Sequence, residues 1–221
     1  MWCIPEASAE YVACMEDVLD QYERPYDPKY PQVCFDEGLK QLIEETRLGY
    51  PGKPGRKARY DYEYKRNGVR NLLMVYEPLA GKRYVRVTER HTMRDFAECM
   101  QWLVDVLYPE AILIRVVLDN LGTHKPASLY EVFAPKEARR ILKRLEFHYT
   151  PKHGSWLDMA EIELSVYSRK LKQHIPTEAD LENEVRAITQ ERNSVHAIIN
   201  WQFRTEVARI KLKKLYPSIS A

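Results

Sequence analysis

The sequence predicts a mixed α/β fold: one mixed sheet of three antiparallel strands and then parallel strands, flanked by helices. Three observations predict it. Strand patterns come first along the chain, strand and helix patterns then alternate, and an aliphatic run over 111–118 has the length and composition of a buried parallel strand. Ligand chemistry in such sheets gathers at the carboxyl ends of the parallel strands.

The first half of the chain supplies the antiparallel strands. Apolar residues at helical spacing predict a helix over 6–22, and three prolines in 24–31 predict an extended linker. A short buried strand over 32–35 is then expected to end on Asp36 and Glu37. Two further strands, over 71–76 and 84–88, are joined by a turn-like connection.

The second half alternates strands with helices. An amphipathic helix that buries Phe96, Met100 and Leu103 is expected to end before Pro109, and the parallel strand that follows ends on Asp119. The remaining predicted elements are a helix over 126–144, a strand over 145–150, a helix starting near Trp156, a helix capped by Thr177, and a basic amphipathic tail over 208–215.

A basic, tyrosine-rich segment over 50–70 interrupts these patterns. Its glycines and prolines predict a loop, and its basic residues include Lys53, Arg56, Lys57 and Arg59. Two interpretations stand equally: a surface that follows a phosphate backbone, or a solvated loop with a tyrosine-rich edge strand.

The composition excludes several classes of protein. Lys and Arg number 34 against 32 Asp and Glu, so net charge alone does not predict nucleic-acid binding. The four cysteines have no zinc-site spacing and fit a reducing cytosol. We expect no signal peptide and no membrane association, since no apolar run approaches the length of a membrane span.

Carboxylates carry the predicted chemistry. Asp36 and Asp119 each follow a predicted buried strand, and Asp158, Glu161 and Glu163 lie on the next helix. Asp158 and Glu161 share a helix face, whereas Glu163 lies about 200° from Glu161. Hard divalent ions prefer such oxygen ligands, and two of them about 4 Å apart catalyse phosphodiester cleavage. From the residues alone, ordinary turn and capping roles for these acids remain an alternative.

Other catalytic motifs are missing from the sequence. It contains no G-x-S-x-G elbow, no Walker loop and no G-x-G-x-x-G, which argues against an α/β-hydrolase and against nucleotide binding.

A series of motifs nevertheless closely resembles the transposases of the bacterial insertion sequence 630 family, within the Tc/mariner superfamily. They occur in order over nearly the whole chain: Val33-Cys34-Phe35-Asp36-Glu37 with Lys40-Gln41-Leu42, Tyr60-Asp61-Tyr62-Glu63-Tyr64, Glu77-Pro78-Leu79-Ala80-Gly81, Leu118-Asp119-Asn120 with Thr123-His124, Tyr149-Thr150-Pro151-Lys152-His153-Gly154-Ser155-Trp156-Leu157, and Met159-Ala160-Glu161-Ile162-Glu163-Leu164.

The resemblance implies a ribonuclease H-like fold and a DDE triad of Asp36, Asp119 and Glu161 that holds two Mg²⁺ or Mn²⁺ ions. It implies DNA strand cleavage and strand transfer of an insertion sequence, with element ends and target DNA as partners and a homodimer on DNA. We expect a bacterial cytoplasmic, nucleoid-associated enzyme. Contacts to the metal ligands or to DNA are expected from Asn120, His124, Lys152, His153, Lys53, Arg56, Lys57 and Arg59.

The chain departs from the family pattern at three points. Family members usually carry an N-terminal helix-turn-helix region, which here is expected from a separate reading frame unless the chain is a fragment. Gly38-Leu39 replaces the common small hydroxyl residues, and Asp158 stands where Asn is frequent. A catalytically silent truncated transposase that regulates the intact enzyme is the alternative function, and a related ribonuclease H-like nuclease is a third.

Three regions are predicted along the chain. Residues 1–31 form an N-terminal helix and linker arm, and residues 32–175 form the catalytic domain, with 50–70 as its clamp-like loop. Residues 176–221 supply C-terminal helices that complete the domain.

Overall fold

A five-stranded mixed sheet forms the centre of the molecule, in the order β3-β2-β1-β4-β5. The structure is a computed structural model that describes residues 8–47, 52–57 and 63–217. The strands are β1 (Gln32–Glu45), β2 (Tyr64–Glu77), β3 (Lys82–Thr88), β4 (Ile114–Leu118) and β5 (Leu145–Tyr149).

The strand directions are those predicted. β1, β2 and β3 pair antiparallel, whereas β4 runs parallel to both β1 and β5. The β2–β3 connection is a tight turn in which Gly81 adopts a φ of 62°, a left-handed conformation that glycine adopts without strain. The parallel strands are joined through helices, as parallel connections require.

Helices cover both faces of the sheet. They are α1 (Ala9–Tyr22), α2 (Met93–Trp102) with a π-helical turn (Leu103–Leu107), α3 (Pro126–Val132), α4 (Pro135–Leu142), α5 (Met159–Lys170), α6 (Glu178–Ser194) and α7 (Thr205–Lys211). Thr177 caps α6 as predicted, since its side chain accepts a hydrogen bond from the Asp180 amide. None of the described helices has the length and apolar composition needed to span a bilayer.

Alternation along the strands divides the core into two layers. Val33 and Phe35 of β1 point to one face, where α2, α3 and α4 pack. Cys34 points to the other face, together with residues of α1, α5, α6 and α7. Residues after 176 therefore bury apolar side chains in the same core layer as Cys34 of β1.

Three predicted element boundaries were wrong. β2 starts at Tyr64 and not at 71, because it pairs with the far end of β1, so residues 64–70 of the predicted loop are strand. β1 does not end at Asp36 but continues to Glu45, because β2 pairs with it from Cys34↔Tyr76 to Glu45↔Tyr64. The helix predicted over 126–144 is two helices, because Pro135 lacks an amide donor and starts a new helix at its first position.

A buried ion-pair cluster anchors α5 against β3 and α6. The Arg83 guanidinium donates to both carboxylate oxygens of Glu163, at 2.8 and 2.9 Å. Arg192 of α6 donates to the same carboxylate at 2.6 Å. The Arg83 and Glu163 side chains are 0% and 1% exposed, and Arg83 also lies over the Tyr76 ring. The cluster fixes the orientation of the helix that carries Glu161.

Candidate functional site: a carboxylate cluster at the sheet edge

The β1–β4 register places Asp36 and Asp119 side by side. The last parallel pair is Phe35↔Leu118, so both aspartates come one residue later on adjacent strands. Phe35 and Leu118 belong to the core layer beneath α2. Alternation therefore turns Asp36 towards the opposite face, where α5 packs. Asp36 Oδ1 accepts a hydrogen bond from the Glu37 amide at 2.8 Å.

The start of α5 supplies two more carboxylates. Asp158 is the N-cap of the helix, and its Oδ1 accepts a hydrogen bond from the Ala160 amide at 2.8 Å. Glu161 follows in the first turn and is exposed. Glu163, on the opposite side of the helix, forms an ion pair with Arg83. This agrees with the helical geometry, which excludes Glu163 from sharing the role of Glu161.

Electrostatics shows that these carboxylates act on one another. Burial is the largest cause that raises the pKa of Asp36 to about 7; the Glu37 amide opposes the rise, and the charges of Glu37, Asp119 and Glu161 contribute to it. Burial also raises the pKa of Asp158 well above its usual range, with the charge of Asp36 as the next cause. The cluster thus has an excess of negative charge, which a bound cation would neutralise.

His124 holds Asp119 in place. Its Nδ1 lies 2.5 Å from Asp119 Oδ1, and its Nε2 lies 3.0 Å from Glu37 Oε2, an ion-pair contact without hydrogen-bond geometry. The ring is 2% exposed and packs against Phe35 and Phe96. Burial opposes protonation, but Asp119 and Glu37 together raise the pKa of His124 to about 9.

The same histidine counteracts burial at Asp119. Burial alone raises the pKa of this aspartate, but the His124 hydrogen bond and charge, with the Leu121 amide and Lys125, lower it below its usual value. Asp119 therefore stays ionised while Asp36, its neighbour on β1, tends to hold a proton near neutral pH.

The donor set suits a hard divalent cation. Carboxylate oxygens are the ligands that Mg²⁺ and Mn²⁺ prefer. Asp158 Oδ2 is buried and has no hydrogen-bond partner, as expected of an oxygen whose partner is an ion. Within the described ranges, no three His, Cys, Asp or Glu side chains are already grouped closely enough to hold a metal ion.

Three other predicted residues meet at a cleft beside the cluster. Asn120, Lys152 and His153 line a cavity of about 310 Å³ against Tyr11 and Cys14 of α1. His153 has a φ of 64°, and both it and Lys152 are exposed. The Asn120 side chain contacts the Lys125 ammonium. His124 faces the buried side of Asp119 and does not line this cleft.

The predicted basic segment lies partly outside the described residues, and Arg59 is among those left out. In its described part, Lys53 and Arg56 exchange backbone hydrogen bonds at 3.0 and 2.8 Å around Gly55, which has a φ of 78°. This tight turn presents exposed Lys53, Arg56 and Lys57. The predicted loop is a turn here, and its contact with DNA stays a prediction.

Sequence reasoning missed the role of Glu37. The motif containing it was recognised, but no function was assigned to its side chain. Strand alternation was the available signal, because Glu37 must point to the same face as Phe35, the face on which His124 is buried.

Comparisons with known proteins agree with this geometry. The sequence model of a family described as DDE superfamily endonuclease matches residues 31–182. No curated protein sequence matches the chain.

Solved structures of the Mos1 mariner transposase share the fold. The paired end complex with Mg has a TM-score of 0.61 at 12% identity, over 99% of this chain and 66% of that chain. The paired end complex with Mn has 0.58 at 13% identity, over 97% and 64%. The strand transfer complex has 0.56 at 12% identity, over 97% and 62%. This chain therefore spans under two thirds of each Mos1 chain, and the predicted ribonuclease H-like fold is confirmed.

Proposed function

Because the chain belongs to the DDE superfamily endonuclease family, we propose that it is the catalytic domain of a DNA transposase, and that Asp36, Asp119 and Glu161 form its catalytic triad. One observation supports this most strongly. The charges of Asp119, directly after β4, and of Glu161 on α5 both act on Asp36 of β1 at one edge of the sheet, although the three residues are far apart in sequence. A purely structural role does not require such repulsion.

Each triad residue has a distinct structural setting. Asp36 is fixed by a strand paired on both sides, and Asp119 is held by His124. Glu161 is exposed at the start of α5, so its side chain is free to adjust to an ion or to DNA. Two Mg²⁺ or Mn²⁺ ions bound by these carboxylates would supply activation of the attacking oxygen and stabilisation of the leaving oxygen.

The other proposed task of the site is to position the DNA. In this proposal the exposed Lys152 and His153 beside the cleft, with the Lys53–Lys57 turn, hold the phosphate backbone so that the scissile phosphate meets the carboxylates. The proposed reaction is hydrolysis at the ends of an insertion sequence, followed by attack of the freed 3′-hydroxyl on target DNA. We further propose that two copies act together on DNA in the bacterial cytoplasm, with a helix-turn-helix region supplied separately.

Strand cleavage tests the proposal. Purified protein is mixed with supercoiled plasmid carrying element-end DNA and Mg²⁺ or Mn²⁺, with and without the upstream DNA-recognition domain supplied in trans. We expect metal-dependent nicking that falls at least about 100-fold in Asp36→Asn, Asp119→Asn and Glu161→Gln, the scale on which one stabilising group contributes to kcat. Glu182→Gln, an exposed acid on α6, is the matched control.

The outcomes separate the possibilities. If Asp119→Asn cleaves as fast as wild type, the triad assignment is wrong. If wild type does not cleave under any of these conditions but binds element-end DNA, the regulatory alternative replaces the catalytic one.

A further inference from the structure

The two oxygens of the Asp158 carboxyl have different surroundings. Oδ1 caps α5 by accepting the Ala160 amide hydrogen bond. Oδ2 is buried without a hydrogen-bond partner, and the residue as a whole is only 2% exposed. Burying an unpartnered carboxylate oxygen costs free energy. An asparagine would cap the helix equally well at lower cost, so helix capping does not account for the second oxygen.

The groups that interact with the Asp158 carboxyl are of two kinds. The Tyr22 hydroxyl, which donates to the Leu157 carbonyl at 2.5 Å, and the Cys34 thiol are buried neutral groups on which the charge of Asp158 acts. The charged groups acting on Asp158 are the carboxylates of Asp36, Asp119 and Glu161. Asp158 therefore interacts with the carboxylate cluster, and its second oxygen is left without a partner.

We propose that Asp158 is a fourth metal-binding carboxylate of this site, with Oδ2 as the ligand oxygen. The inference rests on the proposed function and extends its ligand set. Once ionised around bound metal, Asp36, Asp119, Asp158 and Glu161 together would carry four negative charges, which match two divalent ions. A bound ion partners the orphan oxygen and relieves the repulsion within the cluster.

The cap makes Asp158 a preorganised ligand. Its carboxyl is held by the backbone of α5, and that helix is locked by the Glu163 cluster. Glu161, in contrast, is exposed. We therefore expect the protein to bind a divalent ion in the absence of DNA, because one ligand is already held at the buried side of the site.

Calorimetric titration of the DNA-free protein with Mn²⁺ tests this. Asp158→Asn keeps the capping oxygen but replaces Oδ2 with an amide nitrogen, and Asp158→Ser keeps only a capping oxygen. In both variants Mn²⁺ affinity should fall by about tenfold or more, since even groups outside the first coordination shell change metal affinity by about 10–100-fold. Asp180→Asn, the same substitution at the start of α6, should bind as wild type does.

Two further measurements make the outcomes unambiguous. A metal-free unfolding temperature of Asp158→Asn at or above that of wild type would show that the fold is intact. Asp119→Asn reports on the proposed function itself. If Asp119→Asn loses Mn²⁺ affinity while both Asp158 variants keep it, the fourth-ligand inference is wrong and the triad stands. If wild type itself does not bind Mn²⁺ without DNA, the fourth-ligand inference is wrong, and metal-dependent nicking of element-end DNA then shows separately whether the proposed function stands.

Discussion

Replacing Glu163 with Gln removes the carboxylate that neutralises Arg83 in the core. The Arg83 side chain is 0% exposed, so its charge has no access to water, and Arg192 cannot compensate because it is also positive. Removing one partner of a buried ion pair costs about 3–5 kcal/mol. We expect the free energy of unfolding of Glu163→Gln to fall by about this amount.

Urea denaturation followed by circular dichroism at neutral pH measures the change. Glu191→Gln is the matched control, since Glu191 of α6 pairs with Lys170 of α5 at the surface and should contribute less than about 1 kcal/mol. Burial works against Glu163, but Arg83 and Arg192 hold the pKa of this carboxyl below its ordinary 4.5. Its contribution is therefore present above about pH 4.5 and lost as pH falls through the lowered folded-state pKa. Equal losses in Glu163→Gln and Glu191→Gln would refute the reasoning.

Three other changes have defined expectations. Asp36→Asn should raise the Tm of the metal-free protein at about pH 8. The folded-state pKa of Asp36, about 7, lies above the ordinary 3.8, so ionisation of Asp36 as the pH rises from 3.8 through 7 destabilises the fold. An unchanged Tm contradicts this. Gly154→Ala should cost about 1–3 kcal/mol in urea denaturation, because its Cβ would lie 2.5 Å from Pro151 Cγ, whereas Gly122→Ala meets nothing within 4 Å. Alanine at Lys53, Arg56 and Lys57 should reduce the salt dependence of DNA affinity by about 0.9 per lost phosphate contact; a slope equal to that of a Lys136, Arg139 and Lys143 triple variant argues against contact.

Local sequence patterns predicted much of the fold. The end of the aliphatic strand at Leu118 and the Thr177 cap are local signals, and both lie where they were expected, although the strand starts at Ile114 and not at 111. The extension of β1 to Glu45 was missed because Gly38 and polar neighbours obscure the strand pattern, and the strand is formed by pairing with the distant β2. The break before Pro135 had a local signal that the helical periodicity outweighed.

The candidate site also contains features that local sequence patterns predict and features that depend on long-range packing. Spacing alone left the third acid open between Asp158 and Glu161, and the family resemblance selected Glu161. In the structure Asp158 interacts electrostatically with the same cluster, and this interaction depends on how α5 packs against β1. The bridge from His124 to Glu37 likewise joins two motifs that are more than 80 residues apart. Strand alternation gives the face on which Glu37 lies, but the identity of its partner comes from tertiary packing.

The parallel pairing of β1 and β4 sets the distance between the two catalytic aspartates proposed above. Hydrogen-bonded strands lie about 4.8 Å apart, close to the separation of about 4 Å at which two catalytic ions work together. Because Asp36 and Asp119 follow the last pair of that ladder, the distance between their backbones is set by peptide hydrogen bonds and not by side-chain packing. Substitutions in the surrounding core can move α5 and Glu161, but this spacing persists as long as the sheet is folded.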